Sequence, residues 1–286
     1  MKTGLVLEGG AMRGMFTAGV LDVMMEEGIA FDGVVGVSAG AIFGYSYLSS
    51  QQGRSLRYNL TYCRDSRFCG FRSLLRTGDL YGAEFCYHTL PEKLDPYDWD
   101  AFARSETEFH IVCTDVETGK AVYHRCEAAE DRRYAEMEWL RASASMPLVS
   151  RIVEVDGLRL LDGGVADSIP LRYFERIGFD RNIVILTQPD GYVKKKNRAL
   201  PAARLALGRY PRLLDTMARR HDVYNDTLRH IRDAERRGAA LVIAPEAPLP
   251  IGRTEHDPEK IRAVYTLGRR AAEKRLEELK GFLAKL

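Results

Sequence analysis

The chain has 286 residues, 45% hydrophobic and 29% charged, with a formal net charge of +2. That composition supports a full globular core and excludes a disordered or fibrous chain. No stretch approaches the roughly 20 apolar residues that span a bilayer. The early apolar run, Leu5 to Leu7, is also too short for the core of a secretory signal. A cytoplasmic chain is therefore expected, with any membrane contact peripheral and at the inner face; no nucleic acid partner is expected, and oligomeric state is left open.

Residues 3–7 predict a short strand, and residues 13–27 a helix with Met15, Phe16, Val20, Val23 and Met24 at helical spacing. Between them lies a glycine-rich loop, a kind of junction that aims backbone N–H groups at an anion, either bound or formed during a reaction. Residues 33–37 predict a second strand. The following "AGAIFGYSYL" is apolar on nearly every side, as in a helix buried within a domain. Residues 53–106 are rich in Arg, Tyr, Asp and Pro and read as irregular loops forming an insertion or lid. Strands at 109–114 and 121–124, a helix at 132–145 and a strand at 182–187 complete an α/β pattern. It predicts a mostly parallel central sheet with helices on both faces, a three-layer Rossmann-like arrangement.

Beyond Gln188 the chain turns basic, with fourteen Lys or Arg against six Asp or Glu between 181 and 240. Either this is a solvated helix face, or residues 194–237 attract an anionic membrane surface. "KKKNR" at 194–198 reads as a solvated loop. Residues 240–245 return as a further strand, and Asp257 followed by Pro258 opens a final helix. The expected organisation is one domain over 1–190 and a mostly helical extension over 191–286, packed on it or completing it.

The five cysteines lack C-x-x-C spacing and read as reduced thiols. His110, Cys113, His124 and Cys126 invite a metal reading, but on a strand His110 and Cys113 point to opposite faces, so the four ligands do not converge. No metal and no cofactor are expected.

Gly36-Val37-Ser38-Ala39-Gly40 matches G-x-S-x-G and stands between a strand and a buried helix, where a sharp turn lifts a serine hydroxyl clear of the sheet. The loop Gly9, Gly10, Ala11, Met12, Arg13, Gly14 faces it from the end of the neighbouring strand. A phosphate-binding P-loop would need Gly-Lys-Ser/Thr there, and a dinucleotide fingerprint would need glycine at position 11. A nucleophile opposite an oxyanion hole fits better. For the base, none of the six histidines sits in a glycine-flanked turn after a strand. Asp162, after the apolar "GLRLL" and before Gly163-Gly164, is placed to reach Ser38, although Asp-Gly is also an ordinary turn.

Together "EGGAMRG" at 8–14, "GVSAG" at 36–40, "ASASMP" at 142–147 and "DGGVADSIP" at 162–170 resemble the patatin-like phospholipase family, in order, over about residues 3–190. Ala11 departs from the glycine many members carry. The residues after 190 resemble the helical extension of a bacterial subgroup. The resemblance implies a Ser-Asp dyad, Ser38 with Asp162, acting on a lipid or other acyl ester as a phospholipase A, lysophospholipase or carboxylesterase. A nucleotide-binding module and a catalytically silent lipid-binding scaffold stay open as alternatives.

Overall fold

In the computed structural model, which describes residues 1–284, β1 (Lys2–Leu7) is buried from Thr3 onward because both of its faces are covered. Leu5 and Leu7 enter one apolar core and Val6 enters a second on the other side of the sheet. A 3-10 turn (Ala11–Gly14) leads into α1 (Met15–Glu26). Then come β2 (Gly33–Val37) and α2 (Ala39–Leu48), both where the apolar pattern predicts them, and α2 is nearly enclosed.

Further along are β3 (Glu108–Asp115), β4 (Ala121–Arg125), β5 (Val153–Val155), β6 (Leu158–Asp162), β7 (Phe179–Ile185) and β8 (Ala240–Ile243). The sheet runs β5-β6-β3-β2-β1-β7-β8, with β4 paired to β3 outside that path. β3, β2, β1, β7 and β8 are mutually parallel, whereas β4, β5 and β6 are antiparallel additions. The register on β3 matters most. β4 takes residues 110–114, β2 takes 108–112 and β6 takes 113–115. Because one edge of a residue pairs with one strand, β4 must hold one edge of β3 while β2 and β6 share the other, end to end. β3 is thus a splint that sets the end of β2 against the end of β6.

Residues 53–106 differ from the irregular insertion expected. They form α3 (Arg54–Tyr62), α4 (Phe71–Thr77), a π-wound segment (Phe85–Leu94) and α5 (Trp99–Arg104). The composition that reads as loop is used in long-range contacts. Buried Arg54 donates to the Asp95 carbonyl at 2.8 Å, Arg57 grips the Asp95 carboxylate with two bonds of 2.8 Å, and Tyr97 stacks on Tyr45 with ring centroids 3.7 Å apart.

The remaining helices are α6 (Arg133–Ala144), α7 (Leu171–Arg176), α8 (Leu200–Ala206), α9 (Pro211–Arg236), α10 (Pro258–Lys274) and α11 (Leu276–Ala284). Among the described residues no helix is long and apolar enough to cross a membrane. β8 joins the sheet beside β7, and α10 crosses α1 where two glycines allow backbone contact. A Cβ on Gly268 would lie 1.9 Å from the Phe16 carbonyl oxygen, and one on Gly19 would lie 2.1 Å from that of Tyr265. Gly268→Ala is therefore expected to cost about 1–3 kcal/mol by forcing the helices apart. Urea denaturation would read this as a lower midpoint at unchanged slope.

Candidate active site

At the end of β2 the chain turns on Ser38, whose φ of 56° and ψ of −124° place a non-glycine residue in a strained region. Close packing holds the turn. A Cβ on Gly40 would sit 2.6 Å from the Leu7 carbonyl oxygen, so only glycine fits there, and one on Gly36 would strike the backbone of Ala41 at 2.5 Å. The Ser38 N–H donates to Ser143 Oγ at 2.8 Å, and that hydroxyl donates to the Val112 carbonyl at 2.7 Å. Ser38→Gly is expected to be more stable than Ser38→Ala by about 1 kcal/mol, because both lack the hydroxyl and only alanine keeps the strain. Thermal unfolding of the pair measures the difference.

The splint brings Asp162 to this turn. Val37 pairs with Val112 and Asp162 with Cys113, so consecutive residues of β3 hold the two strand ends. The Asp162 N–H donates to the Ser145 carbonyl at 2.8 Å, and its Oδ1 accepts the Gly164 N–H at 2.7 Å. Gly163 lies so close to β3 that a Cβ would fall 2.1 Å from the Val112 oxygen. The Ser38 side chain lies close enough to the Asp162 carboxyl to lower its pKa, and each residue is only 8% exposed. Burial pushes the Asp162 pKa above the usual aspartate range, opposed by the Arg220 guanidinium, the Gly164 N–H and the Ser38 hydroxyl.

The glycine loop passes close to Ser38: a Cβ on Gly9 would lie 3.2 Å from Ser38 Cβ, and one on Gly14 would meet Ala39 at 2.8 Å. The Gly9 amide donates to Ser168 and that of Arg13 to Gly10, while those of Gly10 and Ala11 meet no acceptor among the described residues. Ala11 has a φ of 48°, so this departure from glycine stands in a left-handed position. Met12 is buried beneath the loop. Glu8 anchors the loop from behind: its carboxylate accepts the Thr187 N–H at 2.6 Å and the Tyr224 hydroxyl at 2.6 Å. Arg13 has no ion-pair partner among the described residues, and its Nε is buried without a hydrogen bond.

The six histidines bond elsewhere: His88 to Glu138, His110 to Tyr173, His124 to Glu136, His221 to Ala218, His230 to Glu175 and His256 to Cys63. His110 and Cys113 do not meet His124 and Cys126. The latter two instead approach Glu136 on α6, with one candidate ligand atom from each within 4.8 Å of the others. Glu136 already accepts from His124 at 2.8 Å and from the Glu127 N–H at 3.3 Å.

An apolar pocket opens at Ser38 and Ala11, walled by Tyr58, Phe68, Tyr87 and Leu90 from the helical 53–106 region and by Met137 and Leu140 from α6. Glu8, Ser143, Ser145 and Tyr224 were not foreseen as site residues. The two serines lie within "ASASMP" at the end of α6, where the alternation of Ala and Ser is their only signal; Glu8 is marked only by its place at the head of "EGGAMRG", and nothing local marks Tyr224.

Residues 5–175 match the family described as patatin-like phospholipase, and residues 210–284 match a domain of unknown function, DUF6363. The uncharacterized protein YjjU of Escherichia coli K12 is 31% identical over 200 residues, covering 66% of this chain and 52% of its own length. Lysophospholipase nte1 of Aspergillus niger is 27% identical over 192 residues, covering 63% of this chain and 11% of its own. The chain therefore spans about half of the first relative and about a tenth of the second. VipD of Legionella pneumophila, a solved structure, aligns over 97% of this chain and 67% of its own at 11% identity, with a TM-score of 0.48.

Proposed function

The chain belongs to the patatin-like phospholipase family, and from that premise we propose that it is a serine acyl-ester hydrolase with Ser38 as nucleophile and Asp162 as its base. One observation carries the proposal: the Ser38 hydroxyl meets a buried carboxyl whose pKa is raised, at the mouth of an apolar pocket. Asp162 takes the Ser38 proton as Oγ attacks the ester carbonyl, and the amides of Gly10 and Ala11 stabilise the oxyanion. Collapse of the tetrahedral intermediate expels the alcohol, which takes the proton back from Asp162. Water then attacks the acyl-enzyme with Asp162 again as base, releasing the acid and restoring the serine. The apolar pocket suits an acyl chain, and the fungal relatives named lysophospholipases support a lipid ester as substrate.

The test is a panel of phospholipids, lysophospholipids and neutral acyl esters incubated with wild type and with Ser38→Ala, with released fatty acids identified by mass spectrometry. Release by wild type alone is expected. Binding without any release would favour a silent lipid-binding scaffold instead. Filling the pocket gives a second check. Ala144→Phe, at a lining position, is expected to lower kcat/KM for a long-chain ester at least tenfold relative to a short one.

A further inference from the structure

Four cations lie near the dyad, and none forms an ion pair among the described residues. Arg220, on α9, donates from Nε to the Gly164 carbonyl, and its Nη2 flanks Gly164 opposite Asp162: a Cβ placed there would lie 3.2 Å from Nη2 and 3.0 Å from Asp162 Oδ1. Lys194 does not belong to a solvated loop, as its place in "KKKNR" suggests. It is partly buried, held by Asn225 through both backbone groups, and its Nζ lies 4.0 Å from the centre of the Tyr224 ring, whose hydroxyl binds Glu8. Arg13 rises from the glycine loop with its Nε buried and unpaired. Arg253 lies on an exposed loop, and its carbonyl accepts the hydroxyl of Tyr81, a residue lining the apolar pocket.

Unpaired cations elsewhere in the C-terminal part, such as Lys195, Arg212, Arg219 and Arg262, are exposed, whereas Arg13, Lys194 and Arg220 are half-buried and form no ion pair among the described residues; Arg253, exposed on its loop, forms none either. The acidic groups close by are Asp162, which faces Ser38, and Glu8, which is taken up by Thr187 and Tyr224. Burial, together with the charges of Arg220, Arg13 and Arg253, pushes the Lys194 pKa down to about 8, the expected behaviour of an ammonium crowded by cations.

We propose that Arg13, Lys194, Arg220 and Arg253 form a recess beside the dyad for the phosphate of the substrate headgroup. This rests on the ester-hydrolase reading and narrows it to a phosphate-bearing acyl ester. Guanidinium forks and an ammonium match phosphate oxygens, and a dianion would relieve the mutual repulsion of the four. Glycerol separates ester from phosphate by a few bonds, so one molecule can place its chain in the apolar pocket and its phosphate among the cations. Three of the four cations come from beyond residue 190, which gives that segment a part in substrate choice.

The experiment compares kcat/KM for lysophosphatidic acid and for the monoacylglycerol with the same chain, both below their aggregation concentrations. Wild type is expected to favour the phosphorylated ester at least tenfold, and Lys194→Gln and Arg253→Gln each to lower that ratio at least fivefold. Arg253 is on an exposed loop, so its variant keeps the fold, as circular dichroism checks. Equal rates for the two esters, or a ratio indifferent to both substitutions, overturns the proposal. Calorimetry with Ser38→Ala gives a readout independent of turnover: sn-glycerol 3-phosphate should bind, and Lys194→Gln added to that background should abolish binding. If no ester is cleaved but glycerol 3-phosphate binds, the hydrolase reading fails and the recess stands. Inorganic phosphate binding tightly while the ratio stays flat would assign the cations to free phosphate and overturn the headgroup.

Discussion

Ser38→Ala is expected to leave a folded chain that has lost acyl-ester hydrolysis by about a millionfold, the scale at which removal of a serine nucleophile acts in hydrolases. Alanine occupies the same strained turn, and the Ser38 N–H bond to Ser143 belongs to the backbone, so the elbow keeps its shape. Only the hydroxyl is lost, and with it the acyl-enzyme. A fluorophosphonate probe should label wild type and leave Ser38→Ala unlabelled, with mass spectrometry locating the adduct. Labelling that survives the substitution would move the nucleophile to another residue. Buried Ser143 and Ser145 are the nearest alternatives, each already bonded to a backbone carbonyl.

The first half of this site is legible in sequence because it is local. A short apolar run, a glycine-flanked serine and an all-round apolar helix follow one another within sixteen residues, 33 to 48, and each pattern is specified by its own neighbours. Asp162 is legible as a residue and not as a partner. What joins it to Ser38 is the division of one edge of β3 between β2 and β6, a register that depends on pairing across the whole sheet. Arg57 and Tyr97 make residues 53–106 look like loop, and in the fold they are ion-pair and stacking partners of distant groups, which local pattern does not contain. Lys194 fails for the same reason. Its neighbours Lys195 and Lys196 are exposed and make it look solvated, while the ring it covers lies thirty residues away on α9.

Asp162→Asn isolates the proton transfer from the geometry. Asparagine can still accept the Gly164 N–H through its side-chain oxygen, and the β6 register depends on backbone, so the turn should persist. Turnover is expected to fall roughly 10²–10⁴-fold, the usual contribution of a general base. Single replacement of any of the six histidines should stay within about tenfold, since each bonds away from Ser38. The pH profile distinguishes the two kinds of base. Asp162 must be ionised to accept the serine proton, and burial raises its pKa, so the acid limb of kcat/KM should lie above the ordinary aspartate value of about 3.9. Below that midpoint the rate should drop tenfold per pH unit. Stability should move the other way. A carboxyl whose pKa is raised on folding binds its proton more tightly in the native state, so its contribution is full at low pH and is lost as pH rises through the folded value. Asp162→Asn removes the ionisation, and at neutral pH its melting temperature should equal or exceed that of wild type. An inactive variant that is also markedly less stable would mean that the Asp162 carboxylate holds the turn together, with its effect on rate following from collapse of the site and not from loss of a base.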